Sequence, residues 1–316
     1  MHRILLSLSA LLLSLLITSC NSESNDESNN NYPIKKVTEG IYYHQGVHQD
    51  PSEQNIGAVA NVGFIIGERC VAVIDSGGSY LEGTYLRQAI KVKTDLPVCY
   101  VINTHVHPDH IFGNAAFKED SPEFVGHEKL PAAMAARQDF FARVFKETLG
   151  AAYEGTEFIS ATRTVSVDKP VTLNLGNRLL TVTAYTTSHT DHDITVLDNK
   201  TKTLWTGDLL FMERIPVLDG SLSGWLSTME QLKTLDLNYV VPGHGTASSD
   251  LWQQGFENQI RYFTTLRDEI RVIINDMGTI DEASQQVGIT EQNSWELFPQ
   301  YHRRNVTASF VQLEWE

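Results

Sequence analysis

The sequence predicts an α+β fold in which two β-sheets pack between outer layers of helices, an αββα sandwich. Two strand-rich halves are separated by helical patterns, and a long amphipathic pattern lies near the end of the chain. The 316 residues are 41% hydrophobic and 20% charged, which is ordinary for a globular protein with a sizeable core.

In the first half of the chain, apolar runs typical of strands alternate with stretches that have helical spacing. We predict, in chain order, strands in "GIYYHQG", "VANVGFIIG", "VAVIDSGG" and "PVCYVINTH", a helix at 81–91 between the last two, a short helix opening at "IFGNAAF", and a helix over 127–150. The polar segment 44–58 interrupts this pattern and reads as a loop.

The second half repeats the alternation. We predict a strand in "RLLTVTAYTTSH", a hairpin in "DITVLDNKTKTLWTGDLLF" with its turn at 198–200, a helix in "SLSGWLSTMEQLKTL" and a strand in "NYVVPGHG". Apolar residues from Trp252 to Ile274 then recur at three- and four-residue steps, and Val306, Phe310 and Leu313 mark a last amphipathic helix.

The N-terminus reads as a targeting segment. Residues 1–19 combine a short basic start with an apolar run too short for a comfortable transmembrane helix. The run ends in "ITSC", which resembles a bacterial lipobox and predicts lipidation at Cys20; a signal peptide cut nearby, with Cys20 incidental, is the alternative. Residues 20–33 predict a disordered tether before a domain over 34–316. Asn21 after the cysteine favours the periplasmic face of the outer membrane, so membrane contact is expected only through the lipid.

The charge balance argues against nucleic acid as substrate or partner. The formal net charge is −15, and no basic run offsets it. Two cysteines, Cys70 and Cys99, each open an apolar run in the predicted domain. Two buried thiols are expected, and a disulfide between neighbouring strands is the alternative in an oxidising compartment.

Histidines and aspartates gather where the predicted strands end. The set comprises His105, His107, Asp109, His110, His189, Asp208 and His244. Strand-end loops commonly carry functional side chains, and neutral imidazole and carboxylate suit zinc. Seven such groups suffice for two ions.

These motifs resemble the metallo-β-lactamase superfamily. "THVHPDH" matches its HxHxDH motif, and "SHT", "TGDLL" and "PGHG" match its downstream ligand motifs in order. "THVHPDHIFGNAAF", "SHTDHDITVLD", "LDGSLSGWL" and the ending "YHRRNVTASFVQLEWE" look more narrowly like the quinoprotein relay system zinc metallohydrolases. That resemblance implies a metallo-β-lactamase-type fold and a functional link to PQQ-dependent dehydrogenases.

The resemblance implies two zinc ions, with iron as the alternative metal. Its ligand pattern assigns His105, His107 and His189 to the first metal and Asp109, His110 and His244 to the second, with Asp208 bridging. This is the ligand set of glyoxalase-II-like hydrolases; β-lactamases with a metal-binding cysteine would need one near Asp208, and none is there.

The implied reaction is hydrolysis of a small ester, thioester, lactone or lactam. Two metals sharing a water lower its pKa towards about 7, which gives a nucleophile for a bound carbonyl. Asp109 is the candidate catalytic residue, since it would orient the nucleophile as well as bind metal.

For several residues around the predicted ligands, the sequence leaves two roles open. Asp75 is expected either to hold the metal loop by hydrogen bonds or to cap a turn. His44, His48 and His192 are candidate substrate contacts, although solvated or supporting roles compete. Arg214 is expected either to bind a substrate carboxylate or to pair with Glu213 or Asp219. His127 and His302 are expected to be structural.

Three other functions compete with the general hydrolase. They are a β-lactamase, an iron-dependent sulfur dioxygenase on the same scaffold, and a non-catalytic accessory protein of a PQQ-dependent dehydrogenase. Chromogenic cephalosporin turnover, iron content with oxygen uptake, and the phenotype of ligand substitutions respectively separate them from the general hydrolase.

Overall fold

Two β-sheets form the centre of the protein, whose computed structural model describes residues 32–316. The first sheet contains, in spatial order, β1 (Lys35–Thr38), β2 (Ile41–His44), β3 (Val62–Ile66), β4 (Val71–Ile74), β5 (Val98–Ile102), β6 (Glu123–His127) and β7 (Arg163–Val165). β1 to β4 pair antiparallel and β4 to β7 pair parallel. The predicted signal peptide, most of the tether and Cys20 lie outside the described residues.

The second sheet is built mainly from hairpins. It contains β8 (Val171–Asn174), β9 (Leu179–Ala184), β10 (Ile194–Asp198), β11 (Thr203–Phe211) and β12 (Tyr239–His244). β8 to β11 pair antiparallel, whereas β11 and β12 pair parallel.

Within residues 32–316, seven α-helices cover the sheets or connect their strands. They are α1 (Tyr80–Lys93), α2 (Pro108–Ile111), α3 (Leu130–Leu149), α4 (Leu222–Lys233), α5 (Trp252–Asn275), α6 (Ile280–Gln286) and α7 (Phe298–Leu313). Short 3₁₀ helices span Asn114–Asp120, Gly150–Tyr153 and Ile289–Glu291. Within residues 32–316, no helix combines the length and apolar character that a membrane crossing requires.

Alternation along β4 shows how the layers form. Ala72 and Ile74 face a core shared with the second sheet, while Val71 and Val73 pack with Leu86 of α1 on the opposite face. This two-residue period is expected of a strand buried on both faces. A further core joins β11 to α4, α5 and α7, so the predicted αββα sandwich is confirmed.

The structure corrects several predicted elements. β1, β6, β7, β8, α2 and α6 were not predicted, and His127 ends β6 instead of beginning a helix. α3 begins three residues later, where Pro131 occupies its first turn and has no amide proton to leave unpaired. β6 mixes a glutamate and a glycine into five residues, and β7 has only three, so neither shows a clear alternating pattern.

Cys70 and Cys99 form a disulfide, so the expectation of two free thiols was wrong. Cys70 directly precedes β4, Cys99 lies in the neighbouring β5, and their Cα atoms are 5.7 Å apart. Adjacent parallel strands bring the two residues within the range that a disulfide can span.

Candidate metal centre

Two buried asparagines hold the ends of the histidine-rich segment together. Asn103 follows β5, and Asn114 begins the 3₁₀ helix after α2. The Nδ2 atom of Asn114 donates to Oδ1 of Asn103 at 2.8 Å, and Nδ2 of Asn103 donates to Oδ1 of Asn114 at 3.0 Å. The Ser76 hydroxyl donates to the same Asn114 oxygen at 2.8 Å. This clasp fixes the loop that carries four of the predicted ligands.

The first cluster consists of His105, His107, His189 and Asp208. Nδ1 of His107 lies 2.9 Å from Nε2 of His105 and 3.0 Å from Nε2 of His189. All donor atoms of the cluster lie within 4.8 Å of one another. The structure therefore brings together three ring nitrogens that come from two distant loops.

Hydrogen bonds on the outer side of the rings assign the tautomers in the first cluster. Thr104 donates its hydroxyl proton to Oδ2 of Asp75, so its oxygen is free to accept from Nδ1 of His105 at 3.1 Å. Nε2 of His107 donates to Oδ2 of Asp219 at 3.1 Å. The inner nitrogens of His105 and His107 then present lone pairs to each other. Such an arrangement is unfavourable without a cation, and it fits a metal ion.

The second cluster consists of Asp109, His110 and His244. Oδ2 of Asp109 lies 3.7 Å from Nε2 of His110 and 3.5 Å from Nε2 of His244. Nδ1 of His110 lies 2.8 Å from Oδ2 of Asp75, and Nδ1 of His244 lies 2.8 Å from the Val59 carbonyl oxygen. Both rings therefore donate outward and turn Nε2 towards the centre, as metal-binding histidines do.

Asp208 lies between the two clusters. Its Oδ2 is 3.4 Å from Nε2 of both His189 and His244, and its Oδ1 is 3.1 Å from Nε2 of His110. Asp208 lies inside β11, at an irregularity in the pairing with β12, and not after a strand end as the sequence predicted. One buried carboxylate thus faces both groups of imidazoles.

The electrostatics favour neutral imidazoles in most of the site. Burial lowers the pKa of His189 to about 3 and holds the pKa values of His105 and His244 below the usual range. Burial opposes ionisation of Asp208, but His244 and His110 outweigh it and hold the pKa of Asp208 well below its usual value. A carboxylate among neutral imidazoles is a donor set suited to zinc.

His110 differs from the other histidines. Burial opposes its protonation, yet Asp208, Asp75 and Asp109 outweigh burial and raise the pKa of His110 well above its usual value. Since a metal binds only neutral imidazole, metal binding at the second cluster would displace a proton from His110.

A cavity of about 480 Å³ lies over both clusters. His107, Asp109, Asp208 and His244 line its floor, and side chains of α3 and α7 line its walls. This volume lies in the usual range for a small-molecule site.

The sequence model of the metallo-beta-lactamase superfamily domain matches residues 56–244, more than half of the chain. The chain belongs to the metallo-beta-lactamase superfamily. No curated protein matches the chain.

Solved structures of metallo-beta-lactamases share this fold. The enzyme from Pontibacter korlensis is 19% identical with a TM-score of 0.57, over 73% of this chain and 98% of that one. DIM-1, in a crystal exposed to ceftazidime, is 17% identical with a TM-score of 0.57, over 74% and 96%. VMB-1 is 18% identical with a TM-score of 0.56, over 73% and 96%. At these identities the likeness shows the fold alone.

Asp75 supports the histidine-rich loop through several hydrogen bonds. Besides His110, it accepts from the Thr104 amide and hydroxyl, each at 2.8 Å. Asp75 has a φ of +53°, a conformation that few non-glycine residues adopt, directly after β4. Of the two expectations for Asp75, its contacts match the one in which it supports the metal loop.

Three of the predicted substrate contacts do not line the cavity. His44 stacks on Tyr32, with ring centroids 4.2 Å apart, and its Nδ1 lies 3.0 Å from the Pro33 carbonyl oxygen. His48 lies 3.0 Å from a Glu296 carboxylate oxygen. His192 is fully buried with its Nδ1 3.0 Å from the Thr190 hydroxyl oxygen. The polar loop 44–58 reaches the cavity at Pro51 and not through its histidines.

Arg214 lies in the cavity wall, and its expected ion pair is absent. Within residues 32–316, neither Glu213 nor Asp219 pairs with it: Glu213 lies near His48, and Asp219 contacts His107 and Arg304. Asp219 is the main site residue that sequence reasoning missed, because it was considered only as a partner of Arg214. Its place in "LDGSLSGWL" was the one available signal.

Proposed function

We propose that this chain is an exported dinuclear zinc metallohydrolase that cleaves a small ester, thioester, lactone or lactam. The observation that carries the proposal is the pair of donor clusters that share Asp208 at the floor of a cavity. Many buried nitrogen and oxygen lone pairs converge on the floor of the cavity. This set of imidazole and carboxylate donors suits two zinc ions best.

His105, His107 and His189 would hold one ion, Asp109, His110 and His244 the other, and Asp208 both. Bound zinc supplies an activated water and polarises the carbonyl of the substrate. The chain's own contribution is to fix these donors before the substrate arrives, through outward hydrogen bonds from His110 to Asp75 and from His107 to Asp219.

Asp109 would have a second role, because its carboxylate is the most exposed donor of the second cluster and lines the cavity. It is half-buried, whereas the other ligands of the second cluster are fully buried. A carboxylate here can orient the attacking water and accept its proton. In Asp109→Asn we expect turnover to fall more steeply than metal content.

The decisive experiment measures metal content and hydrolysis together. Purified protein should contain about two zinc ions per chain, and it should turn over at least one member of a panel of esters, thioesters, lactones and lactams, a chromogenic cephalosporin included. Asp208→Asn should lose metal and activity, whereas Asp168→Asn, at an exposed turn, should keep both. One iron per chain with oxygen uptake, or metal-loaded protein without any hydrolysis, would overturn the proposal.

Export and lipid attachment form a separate part of the proposal. The supporting observation is the lipobox-like "ITSC" before a polar segment, outside the described residues. The full chain should fractionate with membranes, and Cys20→Ser should abolish labelling by a fatty acid while leaving zinc content unchanged. Soluble, unlabelled wild-type protein would contradict lipid attachment.

We further propose a functional link to PQQ-dependent dehydrogenases, which rests on the resemblance of "THVHPDHIFGNAAF" and the C-terminal segment. A strain carrying Asp208→Asn should grow poorly on substrates that require such a dehydrogenase. Normal growth of that strain would remove this part of the proposal.

A further inference from the structure

Two of the chain's arginines are equally buried but have very different surroundings. Arg178 and Arg214 are each 5% exposed. Arg178 uses its fork fully: it donates to both oxygens of Asp198 at 2.9 Å and to the carbonyl oxygens of Ile66 and Glu39. Arginine is rarely this buried unless an anion pairs with it, and Arg178 follows that rule.

Arg214 has no such anion among residues 32–316. Its Nε has no hydrogen-bond partner, and its Nη1 lies 3.1 Å from Nδ1 of His244. That nitrogen is directed at the Val59 carbonyl oxygen at 2.8 Å, so it donates there and cannot also accept from Arg214. The guanidinium also lies over the Tyr301 ring, with 5.4 Å from Cζ to the ring centroid.

The position of Arg214 shows where a partner can come from. Arg214 and Tyr301 both line the cavity over the metal ligands. Arg214 is a buried guanidinium in a cavity wall, without an anionic partner among residues 32–316, so a planar anion that enters the cavity can pair with it. Arg304 lines the same cavity, but it is more than half exposed and lies 3.6 Å from Asp219, so its charge already has a partner.

The wall that α3 forms is mostly apolar, although it includes Arg137. Arg137, Phe140, Phe141, Val144 and Phe145 recur at helical spacing and form one face of α3 towards the cavity. Phe140 is 54% exposed and Val144 37% exposed. Large apolar side chains left open beside a polar floor favour a ligand with an apolar portion.

We propose that the substrate is an amphipathic carboxylate, whose carboxylate binds the fork of Arg214 and whose aromatic or acyl portion packs on the α3 face. This specificity rests on the proposed hydrolase function, because it assumes that the scissile carbonyl lies between these two contacts. Arg214 is then a specificity-determining residue.

The test uses binding, not turnover, on the full metal-loaded chain. The probes are 4-phenylbutyrate and its neutral amide, compared by calorimetry, with metal content measured in every sample. Wild type should bind the carboxylate at least about tenfold more tightly than the amide. Arg214→Met should lose this preference, and Arg214→Lys should keep only part of it, since lysine lacks the fork.

Arg304→Met is the matched control and should keep the preference, because Arg304 is not a free anion site. For the apolar wall, Phe140→Ala should weaken binding of 4-phenylbutyrate more than binding of acetate, whereas Val311→Ala, exposed on α7, should change neither. If Arg214→Met fails to fold, Arg214→Lys decides alone: an undiminished preference in that variant overturns the proposal.

Two results would separate this inference from the hydrolase proposal. If Arg214→Met keeps the full preference for the carboxylate over the amide, the metals bind the carboxylate. That result would contradict the role of Arg214 and leave the hydrolase proposal intact. A correct preference without turnover of any carbonyl substrate would sink the hydrolase proposal and leave the binding site standing.

Discussion

Each of the two donor clusters has one histidine whose outer nitrogen is held by a carboxylate. Asp75 holds His110 of the second cluster, and Asp219 holds His107 of the first cluster. Such carboxylates orient the ring and increase its basicity as a ligand. The two clusters should therefore respond to different substitutions, although Asp208 is close to both.

We expect Asp75→Asn and Asp219→Asn each to weaken one metal site by about 10–100-fold. Competition titration with a chelating dye, which resolves two binding steps, should show a different step affected in each variant. Asp168→Asn, at an exposed turn, serves as the control. Equal loss of both steps in both variants would mean that the carboxylates act on the fold and not on single rings.

Glu82 is a buried carboxyl outside the ligand set. Burial raises the pKa of Glu82 to about 8, although its oxygens accept from the Tyr32 hydroxyl and the Gly78 amide, each at 2.7 Å. Between its ordinary pKa of 4.5 and about 8, the folded state binds more protons at this site than the unfolded state. The free energy of unfolding should therefore fall as the pH rises through this window.

In Glu82→Gln that pH dependence should become shallower, because the amide does not ionise. The limiting difference in slope is about 1.4 kcal/mol per pH unit for one proton. Urea unfolding midpoints from pH 5.5 to 8 would measure it, with the exposed Glu154→Gln as control. Parallel profiles for wild type and Glu82→Gln would show that Glu82 is ionised throughout.

The residues of the two donor clusters could be singled out from the sequence because most of the information is local. His105, His107, Asp109 and His110 occupy one loop, and each distant ligand has a short motif around it. The contact between His107 and Asp219 spans 112 residues and depends on how two loops meet. No spacing along the chain encodes that distance, so Asp219 was missed.

At the scale of elements, the close approach of β11 and β12 positions Asp208. Gly243 of β12 has no side chain where one would overlap Oδ1 of Asp208, and a Cβ there would also lie 2.7 Å from the carbonyl carbon of Gly207. The absence of a side chain at 243 thus lets two parallel strands place a carboxylate between the clusters.

Gly243→Ala should displace Asp208 and reduce metal affinity by about tenfold or more, comparable to the loss of a supporting contact. Gly255→Ala on α5 is a matched control, because its Cβ would meet only the flexible Met212 side chain at 3.1 Å. Metal titration and circular dichroism would separate a local effect from unfolding. Unchanged affinity in Gly243→Ala would show that the strands shift to accommodate the methyl group.

Elements with long periodic patterns were predictable, and short ones were not. The apolar stripe of α5, which includes Phe256, Phe263, Leu266 and Ile270, is buried as its spacing predicted. β8 has four residues with only Leu173 fully buried, so its sequence offers too few positions to reveal a period. β8 forms because the edge of β9 is available for pairing. Its cause is therefore a tertiary contact and not its own sequence pattern.

At the scale of the whole molecule, the metal donors join the two sheets. Four donors follow β5 of the first sheet, whereas His189 follows β9 and Asp208 and His244 lie in β11 and β12 of the second sheet. A metal ion bound to both groups stabilises only the folded state, in which the sheets are packed together.

Removal of metal by a chelator should therefore lower the Tm. At a free metal concentration one hundred times the Kd, binding contributes about 2.7 kcal/mol per site. Thermal unfolding followed by circular dichroism at several zinc concentrations would measure the shift, and Asp208→Asn should show a smaller one. An unchanged Tm after verified metal removal would mean that packing between the sheets does not depend on the site.

The disulfide between Cys70 and Cys99 links β4 and β5 covalently. The two cysteines are 29 residues apart in sequence, and α1 lies in the loop that they close. Chains with this disulfide intact and chains in which it has been reduced are two chemical species, distinguishable by mass after alkylation. Thiol reductants also bind zinc, so measurements of metal affinity are comparable only within one redox form of the purified protein.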